Sequence, residues 1–310
     1  MIKKIKIGTR GSQLALYQAH QVRLKLLEVY PDLLVDIETI MTKGDKILDV
    51  ALSKIGDKGL FTKEIETALL HGTVDIAVHS LKDLPTTLPH GLQLGAVLQR
   101  GEFRDAWISK NGKKLNELTE NDIVATSSLR RQAALLAINP NVQIKDIRGN
   151  VQTRLKKMEE GYCDAMIMAA AGLQRLNLDH YITEIIEPET IMPAVAQGAI
   201  AIEMRENDQE IASLLQKINH QATWVSVLAE RAFLGTLEGG CQVPLGCYSK
   251  IDGDMIVLHG FVASTDGKRF IKGQTIGRIS APEACGIALA NKLAESGAKT
   301  ILDQIRKAIN

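Results

Sequence analysis

Gly72-Thr73-Val74-Asp75-Ile76-Ala77-Val78, a glycine closing a helical run and then a short apolar strand, returns later in the chain as Gly161-Tyr162-Cys163-Asp164-Ala165-Met166-Ile167. Glycine suits the left-handed residue that ends a helix, and a short β-branched or apolar run after it reads as a buried strand. The segments before the two copies also correspond. The first is preceded by a strand over 2–7, the turn Thr9-Arg10-Gly11-Ser12 with Ser12 as N-cap, a helix over 13–29, a strand over 34–42 and a helix over 62–71. The second follows the strand and cap Ile123-Val124-Ala125-Thr126-Ser127-Ser128, a helix over 129–138, a strand over 142–147 ending in Arg148-Gly149-Asn150, and a helix over 151–160. Strand–helix alternation of this kind builds βαβ units, so the repeat predicts an α/β protein with two like, doubly wound lobes. Residues 1–98 and 199–216 form the first lobe in this reading, and 104–192 the second. The first unit is longer by about 28 residues, and the polar, glycine-punctuated stretch 43–61 is their expected home and a candidate lid.

A third domain follows, over 221–310. Thr223 is expected to cap a helix over 224–237, which delivers the turn Glu238-Gly239-Gly240-Cys241-Gln242-Val243-Pro244. Three strand-like runs come next, with Asp252-Gly253 and Asp266-Gly267 at their turns, and two helices close a small α+β domain.

The chain has 310 residues, 45% of them hydrophobic, enough to bury several cores. Its 37 Lys and Arg nearly cancel its 36 Asp and Glu, so no overall field draws it to nucleic acid or an anionic membrane. The start Met1-Ile2-Lys3-Lys4-Ile5-Lys6-Ile7 lacks the apolar core of an export signal, and no apolar run is long enough for a span; a cytoplasmic monomer is expected. Its 4 cysteines do not read as a disulfide framework. On spacing alone, Cys241 and Cys247 read equally well as a reactive thiol in an exposed bend or as small apolar residues beside a hairpin. The Cys-x5-Cys spacing without paired ligands argues against zinc, and no metal is expected.

The cations carry more information than their total. Arg130, Arg131, Arg148, Arg154 and Arg175 fall at cap turns or element ends of the second lobe, where their planar forks would meet a ligand rich in carboxylates. The capped turn before residue 13 aims backbone N–H groups and a helix dipole at one spot, which also suits an anion. Lys82 and Asp83 follow a strand end, where ligands of open α/β sheets bind, although a Lys-Asp pair in a turn is as commonly a solvated surface feature.

Together these stretches resemble the porphobilinogen deaminase family. The motifs are Gly8-Thr9-Arg10-Gly11-Ser12-Gln13-Leu14-Ala15, His79-Ser80-Leu81-Lys82-Asp83-Leu84-Pro85, Thr126-Ser127-Ser128-Leu129-Arg130-Arg131-Gln132, Ile147-Arg148-Gly149-Asn150-Val151-Gln152-Thr153-Arg154-Leu155 and Glu238-Gly239-Gly240-Cys241-Gln242-Val243-Pro244. The resemblance implies a transferase that joins four porphobilinogen molecules head to tail into linear hydroxymethylbilane, with loss of ammonia at each step. It implies lobes like those of type II periplasmic binding proteins, and a dipyrromethane cofactor held by a thioether to Cys241 and not to Cys247. Asp83 is then the catalytic carboxylate, facing the cationic azafulvene left by ammonia. Lys82, Thr126, Ser128, Arg130, Arg131, Arg148 and Gly149 would bind the cofactor. Arg10, Ser12, Lys54, Lys58, Arg154, Arg175 and Gln197 would hold substrate and the growing chain. Ala196 departs from the family, which usually has glycine there. The alternative reading is a non-catalytic, two-lobed binding protein for a small carboxylated ligand.

Overall fold

The computed structural model describes residues 2–46, 59–238 and 243–309. The candidate lid therefore lies largely outside the described residues. The chain opens with β1 (Lys4–Thr9), α1 (Gln13–Val29), β2 (Leu34–Thr39), α2 (Lys43–Lys46), α3 (Lys63–Leu70), β3 (Ile76–Ser80) and β4 (Leu92–Val97). It continues through β5 (Asp105–Ser109), β6 (Ile123–Ala125), α4 (Leu129–Ile138), β7 (Gln143–Lys145), α5 (Val151–Glu159), β8 (Ala165–Ala169), α6 (Ala170–Gln174) and β9 (Glu184–Ile186). After β10 (Ile200–Arg205), α7 (Gln209–Gln216) and α8 (Gln221–Thr236) come β11 (Leu245–Asp252), β12 (Met255–Ala263), β13 (Phe270–Arg278), α9 (Pro282–Leu293) and α10 (Lys299–Ile309).

Two compact units result, one of Met1–Leu48, Asp57–Gly101 and Gly198–Trp224, the other including Glu102–Gln197 and Val225–Asn310. Unit 1 holds a five-stranded sheet ordered β2-β1-β3-β10-β4, in which β10 alone runs antiparallel to its neighbours. Unit 2 holds a second five-stranded sheet ordered β7-β6-β8-β5-β9, with β5 as the antiparallel member. The two orders match position for position.

The repeat extends to single hydrogen bonds. Gly72 and Gly161 have φ of 70° and 87°. In each copy the next N–H reaches back across the helix end, Thr73 to Ala68 O at 3.0 Å and Tyr162 to Lys157 O at 2.9 Å. That is the Schellman closure, and it explains the glycines: a β-carbon in the left-handed region is strained. Asp75 and Asp164 then do the same work, each accepting from the backbone of the adjacent first strand, Lys6 N at 2.7 Å and Ile123 N at 2.9 Å.

In unit 1, Ile5, Ile7, Ile76, Val78, Ile202 and Met204 pack under α1 and α7 on one face of the sheet, while Ile65, Leu69 and Ala77 form a smaller core under α3 on the other. The sheet is thus covered on both sides, as the doubly wound reading requires. Strands β4, β5 and β9 were not expected from the sequence, and β10 inserts between β3 and β4 as the predicted return into the first lobe.

The C-terminal α+β domain is the antiparallel sheet β11-β12-β13 backed by α9 and α10. A β-carbon on Gly286 would lie 2.1 Å from Ala229 O, so α8 and α9 cross with their backbones in contact. The start of α8 differs from expectation. Thr223 lies inside it, and the His220 ring caps instead, its Nδ1 accepting from Thr223 N at 3.3 Å, while Thr223 Oγ1 accepts from Arg100 N at 3.0 Å. Among the described residues, no helix is long and apolar enough to cross a membrane.

Candidate active site

A cleft in unit 1 opens where β1 and β3 end, with Arg10, Ser12, Gln18, Phe61, Ser80 and Asp83 among its lining residues. Ser12 caps α1, its Oγ accepting from Ala15 N at 3.3 Å, so the positive helix end points here. Arg10 stacks on the Phe61 ring, 4.2 Å from its centroid, and donates from Nε to Asp45 Oδ1 at 3.2 Å. Burial works against the Asp45 charge, but the Arg10 and Thr42 hydrogen bonds outweigh it and hold the carboxyl below its usual range. Gln18 Nε2 donates to Ser80 Oγ at 2.8 Å across the cleft wall. Beyond β3 the chain makes one 3₁₀ turn, Leu81–Asp83, leaving Lys82 half-buried and the Asp83 carboxylate exposed. One concavity thus offers a cation, a helix N-terminus and an acceptor-only carboxylate, which suits a ligand carrying both carboxylate arms and an N–H donor.

Unit 2 is organised around a residue the sequence reading missed. Asp105, fully buried at the start of β5, takes Arg131 Nη2 at 2.7 Å and Gln197 Nε2 at 2.9 Å on Oδ1. Its Oδ2 takes Arg130 Nη1 at 2.8 Å and Arg131 Nε at 3.2 Å. Burial alone would raise this carboxyl; the two guanidinium charges outweigh that and hold it well below the usual carboxylate range. Arg131 also donates from Nη1 to Ile167 O at 2.9 Å, so its fork is turned inward, whereas among the described residues Arg130 donates through Nη1 alone, to Asp105 and to Met192 O at 2.6 Å. Gln197 is also fully buried and donates to Phe103 O at 2.8 Å, so the structure gives it a bracing position in unit 2. Thr126 is buried and accepts from Ser128 N at 3.2 Å. Arg148, Arg154 and Arg175 are half-buried, and Arg154 Nε binds Gly149 O at 2.9 Å.

A family model described as the porphobilinogen deaminase dipyromethane cofactor binding domain matches residues 5–213, and the C-terminal domain model of the same family matches 224–295. The chain belongs to the porphobilinogen deaminase family. Porphobilinogen deaminases similar to it include that of Carboxydothermus hydrogenoformans, 50% identical over 100% of both chains. That of Synechococcus elongatus is 52% identical over 98% of this chain and 96% of its own, and that of Bacillus subtilis 48% identical over 100% and 99%. Among solved structures, the methionine binding protein MetQ superposes with a TM-score of 0.45 at 14% identity, over 72% of this chain and 91% of its own. Family membership sets aside the non-catalytic alternative: this is an enzyme that builds a linear tetrapyrrole from porphobilinogen.

Three of this chain's four thiols are buried. Cys163, Cys247 and Cys285 are 2%, 0% and 4% exposed. Cys241, Lys54 and Lys58 lie outside the described residues. Ala196, where the family usually has glycine, is buried with φ of 57°, and its N–H donates to the buried Glu230 Oε2 at 2.8 Å. A positive φ of this size suits glycine better than alanine. Among the described residues no group of three or more His, Cys, Asp or Glu could hold a metal.

Proposed function

We propose that Cys241 carries a dipyrromethane through a thioether, and that porphobilinogen loses its ammonia in the unit 1 cleft against Asp83. The observation that carries this reading is the burial of the other thiols. Burial pushes Cys163 up to about 11 and raises Cys285 as well, and a thiol held protonated in a packed core is a poor nucleophile. The cleft's donors fit the group: Arg10 and the α1 N-terminus suit its carboxylate arms, and Asp83 suits a pyrrole N–H. When bound, the dipyrromethane supplies the ring carbon to which the first substrate is joined.

The chain's own residues do the rest. As ammonia leaves, positive charge develops on the substrate ring, and a fixed carboxylate at Asp83 stabilises it more than it does the uncharged ring of the ground state. Lys82, Thr126, Ser128, Arg130, Arg148 and Gly149 hold the cofactor in this reading. Ser12, Arg154 and Arg175 hold substrate and chain arms, with Lys54 and Lys58 added from the stretch outside the described residues. Arg131 and Gln197 contribute through Asp105, by bracing Arg130. The chain works as a cytoplasmic monomer.

Intact mass under denaturing conditions, combined with ammonia release, tests the assignment. Cys241→Ser is expected to fold, to lack the mass of two pyrrole units and to release no ammonia, while Cys247→Ser keeps both. Added pyrrole mass retained in Cys241→Ser refutes it.

A further inference from the structure

Three titratable side chains of unit 1 are buried behind the cleft with no role in the scheme above: Glu66 on α3, His79 on β3 and Glu203 on β10, at 6%, 6% and 0% exposure. Strand alternation brings them to one side. Ile76 and Val78 face the α1 core, so His79 faces α3; Ile202 and Met204 face the α1 core, so Glu203 does likewise. Between Ile202 and Glu203 the pairing of β10 with β4 shifts by one, leaving Gly95 as the extra residue. Bulges of this kind re-aim side chains near functional sites.

His79 Nε2 lies 3.1 Å from Glu203 Oε2. A carboxylate oxygen only accepts, so Nε2 donates this bond, and in the neutral ring that leaves the lone pair on Nδ1. His79 lines the cleft beside Ser80 and Asp83, and its Nδ1 has no hydrogen bond among the described residues. Behind the pair, Glu66 Oε1 and Glu203 Oε1 are buried without hydrogen-bond partners among the described residues. Burial, with the Glu203 charge adding to it and the Thr62 hydrogen bond opposing it, pushes the Glu66 carboxyl above the usual carboxylate range. A carboxylate fixing the tautomer of an imidazole that faces a reaction cleft is the arrangement of a base and its orienting group.

On the reading of this cleft as the place where ammonia is lost, we propose that His79 is its proton acceptor and Glu203 the residue that positions it. Each coupling forms one C–C bond and breaks two others, the C–N bond to the amino group and a C–H bond on the ring carbon that attacks. The amine arrives as ammonium and departs as ammonia with the C–N electron pair. The ring proton passes to His79 Nδ1, the imidazolium is balanced by Glu203, and the proton then goes to the departing ammonia. Ammonium leaves and His79 is neutral again. The charged or titratable groups nearest this ring are Glu203 from β10 and Glu66 from α3, with Glu64 beyond Glu66, and in the cleft Asp83 and the Arg10 that Asp45 holds.

The discriminating variant is His79→Gln, whose amide keeps an N–H for Glu203 and has no basic nitrogen. In the full-length enzyme it is expected to melt near wild type, to release ammonia in a single turnover about 100-fold more slowly or worse, and to lose the acidic limb of the rate–pH profile. A rate within a few-fold of wild type with the same profile overturns the proposal. If that variant does not fold, ¹⁵N chemical shifts of His79 still decide: the proton is expected on Nε2 in the unaltered protein and scrambled between the nitrogens in Glu203→Gln. A proton found on Nδ1 in the unaltered protein overturns the proposal. Failure of the cleft reading itself shows differently, as unimpaired ammonia release by Asp83→Asn.

Discussion

Removing the charge of Asp105 should unbalance unit 2 more than any single change to the arginines' ligand-facing atoms. Asp105→Asn keeps the shape and one acceptor but turns an amide N–H₂ toward a guanidinium. Two cations, 5% and 7% exposed, then lose the carboxylate that pairs with both. Breaking a buried ion pair from one side costs about 3–5 kcal/mol, because the remaining charge stays desolvated. Both arginines retain a main-chain carbonyl, Met192 O at 2.6 Å and Ile167 O at 2.9 Å, which places the expected loss toward the lower end, about 3 kcal/mol. Trp107 lies on the same strand, 1% exposed, so its emission in a Trp224→Phe background reports this unit during urea unfolding. The pH dependence has a definite sign. The folded carboxyl is held below its unfolded value, so its contribution is fully present above the unfolded pKa of about 3.9 and is lost as pH falls through the lower folded value. The stability gap between wild type and Asp105→Asn should be flat from neutrality to about pH 5 and close only in stronger acid. A gap under about 1 kcal/mol at neutral pH would refute the argument that Asp105 is what holds the two guanidiniums.

Asp83 is exposed, so its role separates cleanly from stability: Asp83→Ala and Asp83→Asn should melt near wild type yet release ammonia about a thousandfold more slowly, whereas Asp83→Glu keeps partial turnover. Lower melting with near-normal single-turnover release would mark it as a structural ion-pair partner. At position 196, glycine relieves the positive φ but loses a buried methyl and gains unfolded-state freedom, so Ala196→Gly should change stability by less than about 1 kcal/mol. Ala196→Val, β-branched at a left-handed angle, should lose about 2 kcal/mol or more, and thermal melts of the pair check both.

The parts of this molecule that were legible in the sequence are those whose physics is local. Gly72 and Gly161 announce themselves because a left-handed helix end needs glycine, and Asp75 and Asp164 recur because each answers the same unpaired N–H. That was enough to reveal two like lobes. The strands it missed are instead defined by distant partners: β9 spans only Glu184–Ile186, and β5 opens on a charged residue that looks like loop until Arg130 and Arg131 are seen to close on it. The same limit separates the two halves of the site. Arginines at cap turns read as forks seeking carboxylates, yet spacing could not say that for Arg130 and Arg131 the carboxylate is the protein's own Asp105, some 25 residues upstream along the chain. One signal was available and went unused. Glu203 stands alone in the apolar run Ile200-Ala201-Ile202-Glu203-Met204, and a lone charge inside a strand buried on both faces has to be paired, neutralised or put to use. Here it is hydrogen-bonded to His79, while its second oxygen has no partner among the described residues, and a buried acceptor left without a hydrogen bond is costly.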